Sequence, residues 1–295
     1  MPVESPPASG ALWFDSWISS ATVASYSSQR ASFAAKNLLN GLRSDTWRTS
    51  DATSDAYVVF DMGQLRTPGC LGLGDVNFSA GTYIRLHGSD DSAQVVNPVY
   101  WDLPLYPHDD IGRFLRWYIG SPTFGSIGAS TNPADAASAR GRQFWGVRIL
   151  PATFGAYGQT NPETGDTANF FEVGVVWLGK HTDIVPEQGV KPRVENPSET
   201  ELAYGGAPWT DPMRPFRTIS LDVASLTFEE FYDLEALIRK QGKTFSVLDL
   251  HAFSTNAKMK RGGCLYGQFD DRPLDGDIQA PETNRLRISF EESRG

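Results

Sequence analysis

The sequence predicts a mainly β protein, a β-sandwich followed by a smaller α+β module. Three observations predict it. Short apolar runs with the two-residue period of strands recur through residues 57–179. A proline-bearing stretch, with Pro186, Pro192 and Pro197, then interrupts the pattern. Beyond it a single amphipathic helical run stands between further alternating segments. The 295 residues fit two ordinary domains better than one. A hydrophobic content of 40% suffices for packed cores, and 12% aromatics with 28 glycines and 19 prolines favour loop-rich β structure.

The expected division is an N-terminal arm (1–19), a sandwich (20–180), a linker (181–200) and an assembly module (201–295). Pro2, Pro6 and Pro7 oppose regular structure at the start, so the arm is expected to be flexible or to order on assembly. In the sandwich, Tyr57 to Asp61 is a β-favouring run, and Met62-Gly63 marks a turn after it. Ile84 and Leu86 share one face of the run Tyr83–His87. Phe144–Leu150 alternates likewise, and Phe170–Gly179 reads as a closing strand pair. Residues 97–140 form a long Gly-, Ser- and Ala-rich stretch without periodicity, which is functional or ordered by a partner.

In the second module, Ile219, Leu221 and Val223 alternate along Arg217–Val223. Thr227 and Glu230 form a capping box that starts a helix. Phe228, Phe231, Leu234, Leu237 and Ile238 follow at helical spacing, Arg239 and Lys240 suit the negative end of the helix dipole, and Gly242 stops it. Phe245–Leu250 returns as a strand, and Leu286–Phe290 is a last one. The helix is expected to cover a sheet.

Little chemistry is visible. The four histidines have no metal-ligand spacing, and there is no Cys-x-x-Cys, Gly-x-Ser-x-Gly or phosphate-binding loop. His108-Asp109-Asp110 is a dense polar trio that suits a solvated turn or a divalent ion. Glu229-Glu230 sits in a helix first turn, where the dipole accounts for it. A glycosidase needs two carboxylates about 5–10 Å apart across a cleft, and nothing points to such a pair. The expectation is a protein without catalytic residues. The net charge of −9 opposes nucleic-acid binding, and Lys258–Arg261 reads as a solvated basic loop. No apolar run is long enough to span a bilayer, and the start MPVESPPASG does not read as a signal peptide. Cys70 and Cys264 lie in opposite halves, so neither half can form its own disulfide, which suits a reducing cytosol. Cys70 lies in an apolar context and reads as a small buried hydrophobe.

Two resemblances add to this reading. The segment Ala21–Asp91, with Asn40-Gly41, the lone Trp47 in "TWRT", "FDMG" and "RLHGSDD", resembles the discoidin (coagulation factor 5/8 type C) β-sandwich. "FWGVRIL" and "FFEVGVVWLG" resemble that family's later strands. The resemblance implies a binding architecture. Loops at one end would meet a sugar or lipid, with Tyr100, Trp101, Tyr106, Trp117 and Tyr118 as candidate stacking rings. Equally, those rings would pack the long loop down or meet a neighbouring subunit. Some members of the family hold calcium near the early loop, and here Asn40, Asp45 and Glu172 would offer the oxygen ligands. Asn40 stands where an aspartate would bind more strongly, and no other cofactor is implied.

The second module resembles ring-forming hub modules of tail proteins from long-tailed bacteriophages. The matching residues include Gly205, Gly206, Arg214, Arg217, Ile219, Leu221, Thr227, Glu230, Leu234, Leu237 and Gly242. This resemblance implies a distal-tail or baseplate protein, made in the bacterial cytoplasm and ending in the virion tail tip. Its partners would be copies of itself in a ring of six or three, the tail tube, and hub or fibre proteins. The competing expectation is a carbohydrate-binding module that attaches to cell-surface glycans.

Overall fold

A computed structural model describes residues 10–78, 82–92, 101–104, 114–118, 141–150, 159–160, 167–168, 170–186, 190–196, 198–202, 208–211, 215–252, 263–270, 275–277 and 284–293. The protein is mainly β. The chain divides into two compact units, one of Asp15–His181 and one of Met1–Phe14 with Thr182–Gly295. The first strand, β1 (Gly10–Phe14), therefore belongs with the C-terminal part of the chain.

The sandwich unit carries β2 (Thr22–Tyr26), β3 (Trp47–Arg48), β4 (Ala56–Arg66), β5 (Cys70–Gly74), β6 (Tyr83–Ser89) and β7 (Trp101–Pro104). It continues with β8 (Phe114–Tyr118), β9 (Arg142–Leu150), β10 (Gln159–Thr160), β11 (Thr167–Ala168), β12 (Glu172–Val173) and most of β13 (Val175–Ile184). One antiparallel sheet has the order β2-β4-β9-β6-β7, and β13-β5-β8 lie in the other. Two short ladders, β3–β12 and β10–β11, complete the pairing.

Alternation sets the core. Val58 and Phe60 of β4, Ile84 and Leu86 of β6, and Trp145, Val147 and Ile149 of β9 point the same way. They meet Leu71, Leu73, Val176 and Leu178 of the second sheet in a single cluster. Trp47 is buried there and satisfies its indole N–H by donating to Ser28 O at 3.0 Å. The turn expected at Met62-Gly63 appears as an irregularity inside a longer strand. Gly63 has φ +66°, its N–H donates to Asp61 Oδ1 at 2.8 Å, and β4 resumes pairing with β9 at Arg66.

The second unit adds β14 (Lys191–Glu195), β15 (Glu199–Leu202), β16 (Pro208–Asp211), β17 (Phe216–Leu226) and α1 (Phe228–Gln241). After the helix come β18 (Ser246–Asp249), β19 (Cys264–Phe269), β20 (Asp275–Asp277) and β21 (Asn284–Glu292). The sheet order is β14-β17-β21-β19-β18-β1, with β20 also on β21 and a separate β15–β16 hairpin. Helix α1 lies on β21 and β17, burying Phe231, Leu234 and Ile238 with Leu237 partly covered. The capping box forms: Glu230 N–H donates to Thr227 Oγ1, and Thr227 N–H donates to Glu230 Oε2. Gly242, at φ +52°, ends the helix.

Two expectations change. The described part of the arm, Gly10–Phe14, is a strand paired with β18, and Leu12 is fully buried with Ile184, Leu248 and Leu265. The prolines that oppose structure end at Pro7, and the apolar Ala11–Phe14 that follows has a sheet to join. The stretch expected as a linker is largely paired. β13 continues to Ile184, Pro186 bridges to Val223, and Lys191–Glu195 pairs with Ser220–Phe216. Pro192 is accommodated because β14 stands at the end of the described sheet order, where a missing N–H is tolerated.

Candidate functional site

The β2–β4 connection is held by local bonds before any long-range contact is counted. Arg30 N–H donates to Arg48 O at 2.9 Å, Arg48 N–H to Phe33 O at 3.2 Å, and Ala35 N–H to Gln29 Oε1 at 3.0 Å. The carboxylate of Asp51 caps its own turn, accepting from the N–H groups of Thr53 and Ser54. The Ser54 and then the Thr53 N–H hold that carboxyl below its ordinary pKa.

The segment before β12 is tied to this connection. Thr49 N–H donates to Phe171 O, and Phe171 N–H donates back to Thr49 Oγ1 at 2.9 Å. Asn77 closes the other side, donating to Phe170 O and accepting from Glu172 N–H. Strand alternation then divides the side chains. Phe171 and Val173 go into the core, Phe171 edge-on to Phe78, while Phe170 and Glu172 face outward and are half-buried.

On that outward side Phe33, Arg48, Phe170 and Arg30 form a chain of ring–cation contacts. The Arg48 guanidinium carbon lies 3.9 Å from the centre of the Phe33 ring and 5.1 Å from that of Phe170. Arg30 lies 4.2 Å from the centre of the same Phe170 ring and donates from Nε to Thr49 O. Arg48 Nε and Nη2 both reach Glu172 Oε1, at 3.0 and 2.9 Å. Arg48 and Glu172 are also a cross-strand pair of the β3–β12 ladder. The Arg48 side chain remains 30% exposed and makes no further hydrogen bond or ion pair among the described residues. The cluster therefore offers solvent an oriented guanidinium edge, with a carboxylate and an aromatic ring beside it. That arrangement presents both donor and acceptor groups suited to polar partners.

The residues expected from sequence lie elsewhere or play other parts. Tyr100 and Tyr106 are outside the described residues. Trp101 pairs with Leu86 and Trp117 with Leu71 along their strands. Tyr118 is only 5% exposed and edge-on to His181, 5.0 Å between ring centres, so it has no open face for a sugar. Asn40 and Asp45 do meet, Asn40 Nδ2 donating to Asp45 Oδ2 at 2.6 Å, while Asn40 Oδ1 accepts from Leu42 N–H. Glu172 is committed to Arg48. Asn40 thus turns its donor, not its acceptor, toward Asp45, and the three expected ligands do not fit a calcium cage. No group of three His, Cys, Asp or Glu suited to a metal occurs among the described residues.

In the second unit Arg217 is a structural clamp. Its Nε and Nη2 hold both oxygens of Glu292, at 2.9 and 3.0 Å, and Nη2 also reaches Cys264 O. Leu234 is core and Leu237 lines its edge. Gly205, Gly206, Arg214, the 108–110 trio and the basic run 258–261 lie outside the described residues. Burial pushes the Cys70 thiol well above its ordinary pKa, which keeps it unreactive at neutral pH. Among the described residues no helix is long and apolar enough to cross a membrane.

Arg30, Phe33, Arg48 and Phe170 carried no signal strong enough to single them out. The pairs Trp47-Arg48 and Phe170-Phe171 show which neighbour faces outward, but only the fold brings them onto one ring.

No protein-family model and no curated protein matches the chain. Solved structures similar to it include chitosan-binding module 1 of a chitosanase/glucanase from Paenibacillus sp. IK-5. That match has 12% identity and a TM-score of 0.38, covering 56% of this chain and 98% of that one. The Streptococcus pneumoniae fucose-binding module SpX-3 matches at 11% identity and TM-score 0.36, covering 57% and 98%. The N-terminal domain of the single-strand break repair protein XRCC1 matches at 15% identity and TM-score 0.37, covering 54% and 95%.

Proposed function

We propose that the sandwich unit is a saccharide-binding module without enzymatic activity, and that its ligand surface is the Arg30, Phe33, Arg48, Phe170 and Glu172 cluster. The observation that carries this is Arg48. Its guanidinium is fixed by an aromatic ring and a carboxylate, is 30% exposed, and makes no further hydrogen bond or ion pair among the described residues. Fixed donors beside a ring suit the hydroxyls and apolar face of a sugar. Arg48→Ala is expected to weaken glycan binding by on the order of tenfold or more, since it removes a hydrogen bond from a charged donor. Its stability cost should stay near 1 kcal/mol, because the ion pair is partly exposed. Titration calorimetry with a glycan selected from an array measures the first, and thermal unfolding the second. An Arg48→Ala protein that binds as well as the parent would sink the assignment.

A second reading concerns the other unit. Phe228 and Tyr232 stand one turn apart on α1 and are 40% and 54% exposed, which favours a protein partner at that helix. With the tail-protein resemblance, this supports a structural role at the end of a phage tail tube, where copies form a ring that links tube to hub or fibres. Sedimentation is expected to find an oligomer that Tyr232→Arg dissociates. A parent chain that stays monomeric, and is not found at the tail tip when virions are labelled with antibody, would contradict it.

A further inference from the structure

We infer that helix α1 pairs with the same helix of a second copy of this chain, antiparallel, about a two-fold axis. This rests on the reading above that α1 meets a protein partner, and it names that partner. The helix has two faces. Phe231, Leu234 and Ile238 are buried against the sheet. The opposite face carries Phe228, Tyr232 and Ala236, each about one turn from the next and each exposed. The Tyr232 ring stands edge-on to Phe231, 5.5 Å between ring centres, so the core below positions it. The small Ala236 leaves room for a second helix to approach closely.

Charge decides what covers this face. The first half of the helix exposes Glu229, Glu230 and Asp233, and its last turn exposes Arg239 and Lys240. The macrodipole accounts for Glu229 and for the last turn, and the capping box accounts for Glu230. Neither accounts for Asp233, which lies beyond the first turn, nor for two exposed rings in one row. A parallel neighbour would set acid against acid and base against base. An antiparallel one sets the acidic half of each helix beside the basic end of the other. At about 100° per residue, Glu229, Asp233 and Lys240 fall on one flank of the apolar row. In an antiparallel pair that flank meets its own copy, so the acid–base contact forms twice about the axis. Phe228 then comes beside Arg239 of the second copy, where a cation over a ring adds attraction. Arg239 bonds Glu235 in its own helix at 2.7 Å, yet its side chain stays 71% exposed. The helix has 14 residues. It is therefore only about 21 Å long. Such a contact is smaller than a standard interface, and association is expected in roughly the micromolar range.

The test uses the full chain in sedimentation at rising concentration, where copies are expected to join in pairs. Glu229→Lys with Asp233→Lys, and Arg239→Glu with Lys240→Glu, should each weaken association by about tenfold or more, since each brings like charges together twice. Mixing the two variants should restore it, which also shows that both remain folded. Mild oxidation of cysteine variants reads the direction. The chain's own Cys70 and Cys264 are buried, so the parent is expected to stay uncrosslinked. Glu229→Cys mixed with Lys240→Cys should cross-link, and Glu229→Cys alone should not. Association that both charge variants leave intact, or cross-linking of Glu229→Cys with itself, would overturn the antiparallel pairing. If Tyr232→Arg still dissociates those copies, α1 stands as a partner surface of another geometry. A parent chain that stays monomeric at every concentration would overturn the pairing, while its detection at the tail tip would leave the structural role standing.

Discussion

Gly267→Ala is expected to unfold the second unit while the sandwich stays folded. Gly267 sits within β19, paired with Ser246 on one side and Glu292 on the other. A Cβ at this position would stand 1.9 Å from the backbone oxygen of Glu291, 2.8 Å from its carbonyl carbon and 2.9 Å from Glu292 Cα. All three are main-chain atoms of β21, so no rotamer change relieves the clash. The two strands would have to part, and they hold the Phe269–Phe290 contact and the Ser293 N–H bond to Tyr266 O. Losing several such bonds and part of the core costs about 4 kcal/mol or more, comparable with the whole stability of a small domain. Amide hydrogen exchange reads the result by segment. Protection should vanish across 216–226, 246–249 and 284–292 and persist across 56–66 and 142–150. Unchanged protection in β21 would refute the contact on which this depends.

The second large effect is expected inside the sandwich, from Arg43→Ala. Arg43 reaches both carboxylate oxygens of Asp75 through Nε and Nη2, with Arg43 almost wholly buried and the Asp75 side chain 20% exposed. Asp75 also holds a left-handed backbone, φ +48°, beside Gly174, whose Cβ would crowd Arg43 O at 2.9 Å. Without Arg43 the carboxylate is left largely desolvated and unpaired, which costs about 3 kcal/mol or more. Urea unfolding should show a lower midpoint with little change in slope. The double variant Arg43→Met with Asp75→Asn should recover part of the loss, because it removes the stranded charge together with its partner. A single variant within about 0.5 kcal/mol of the parent, on the scale of ordinary surface changes, would show that the pair does not hold the loop.

The contrast between these residues and those visible in the sequence is physical. The alternating runs at Tyr57–Asp61, Tyr83–His87, Phe144–Leu150 and Arg217–Val223 lie within β4, β6, β9 and β17, because burial on one sheet face imposes a two-residue period. Thr227, Glu230 and Gly242 mark the helix boundaries because capping is settled within four positions. Phe228 shows the limit of such reasoning. It shares the helical spacing of Phe231 and Leu234 yet lies 40% exposed in the first turn, beyond the reach of the sheet.

Strand character, the mainly β class and the helix with its caps were all present in local pattern. The fold alone decided that Ala11–Trp13 would pair with Val247–Asp249, that Tyr118 would be covered by His181, and that Arg48 would meet Glu172 from 124 positions away. Period and capping act between near neighbours and so can be read along a chain. Pairings across such separations depend on which whole surfaces bury each other, and no short window of residues records that choice.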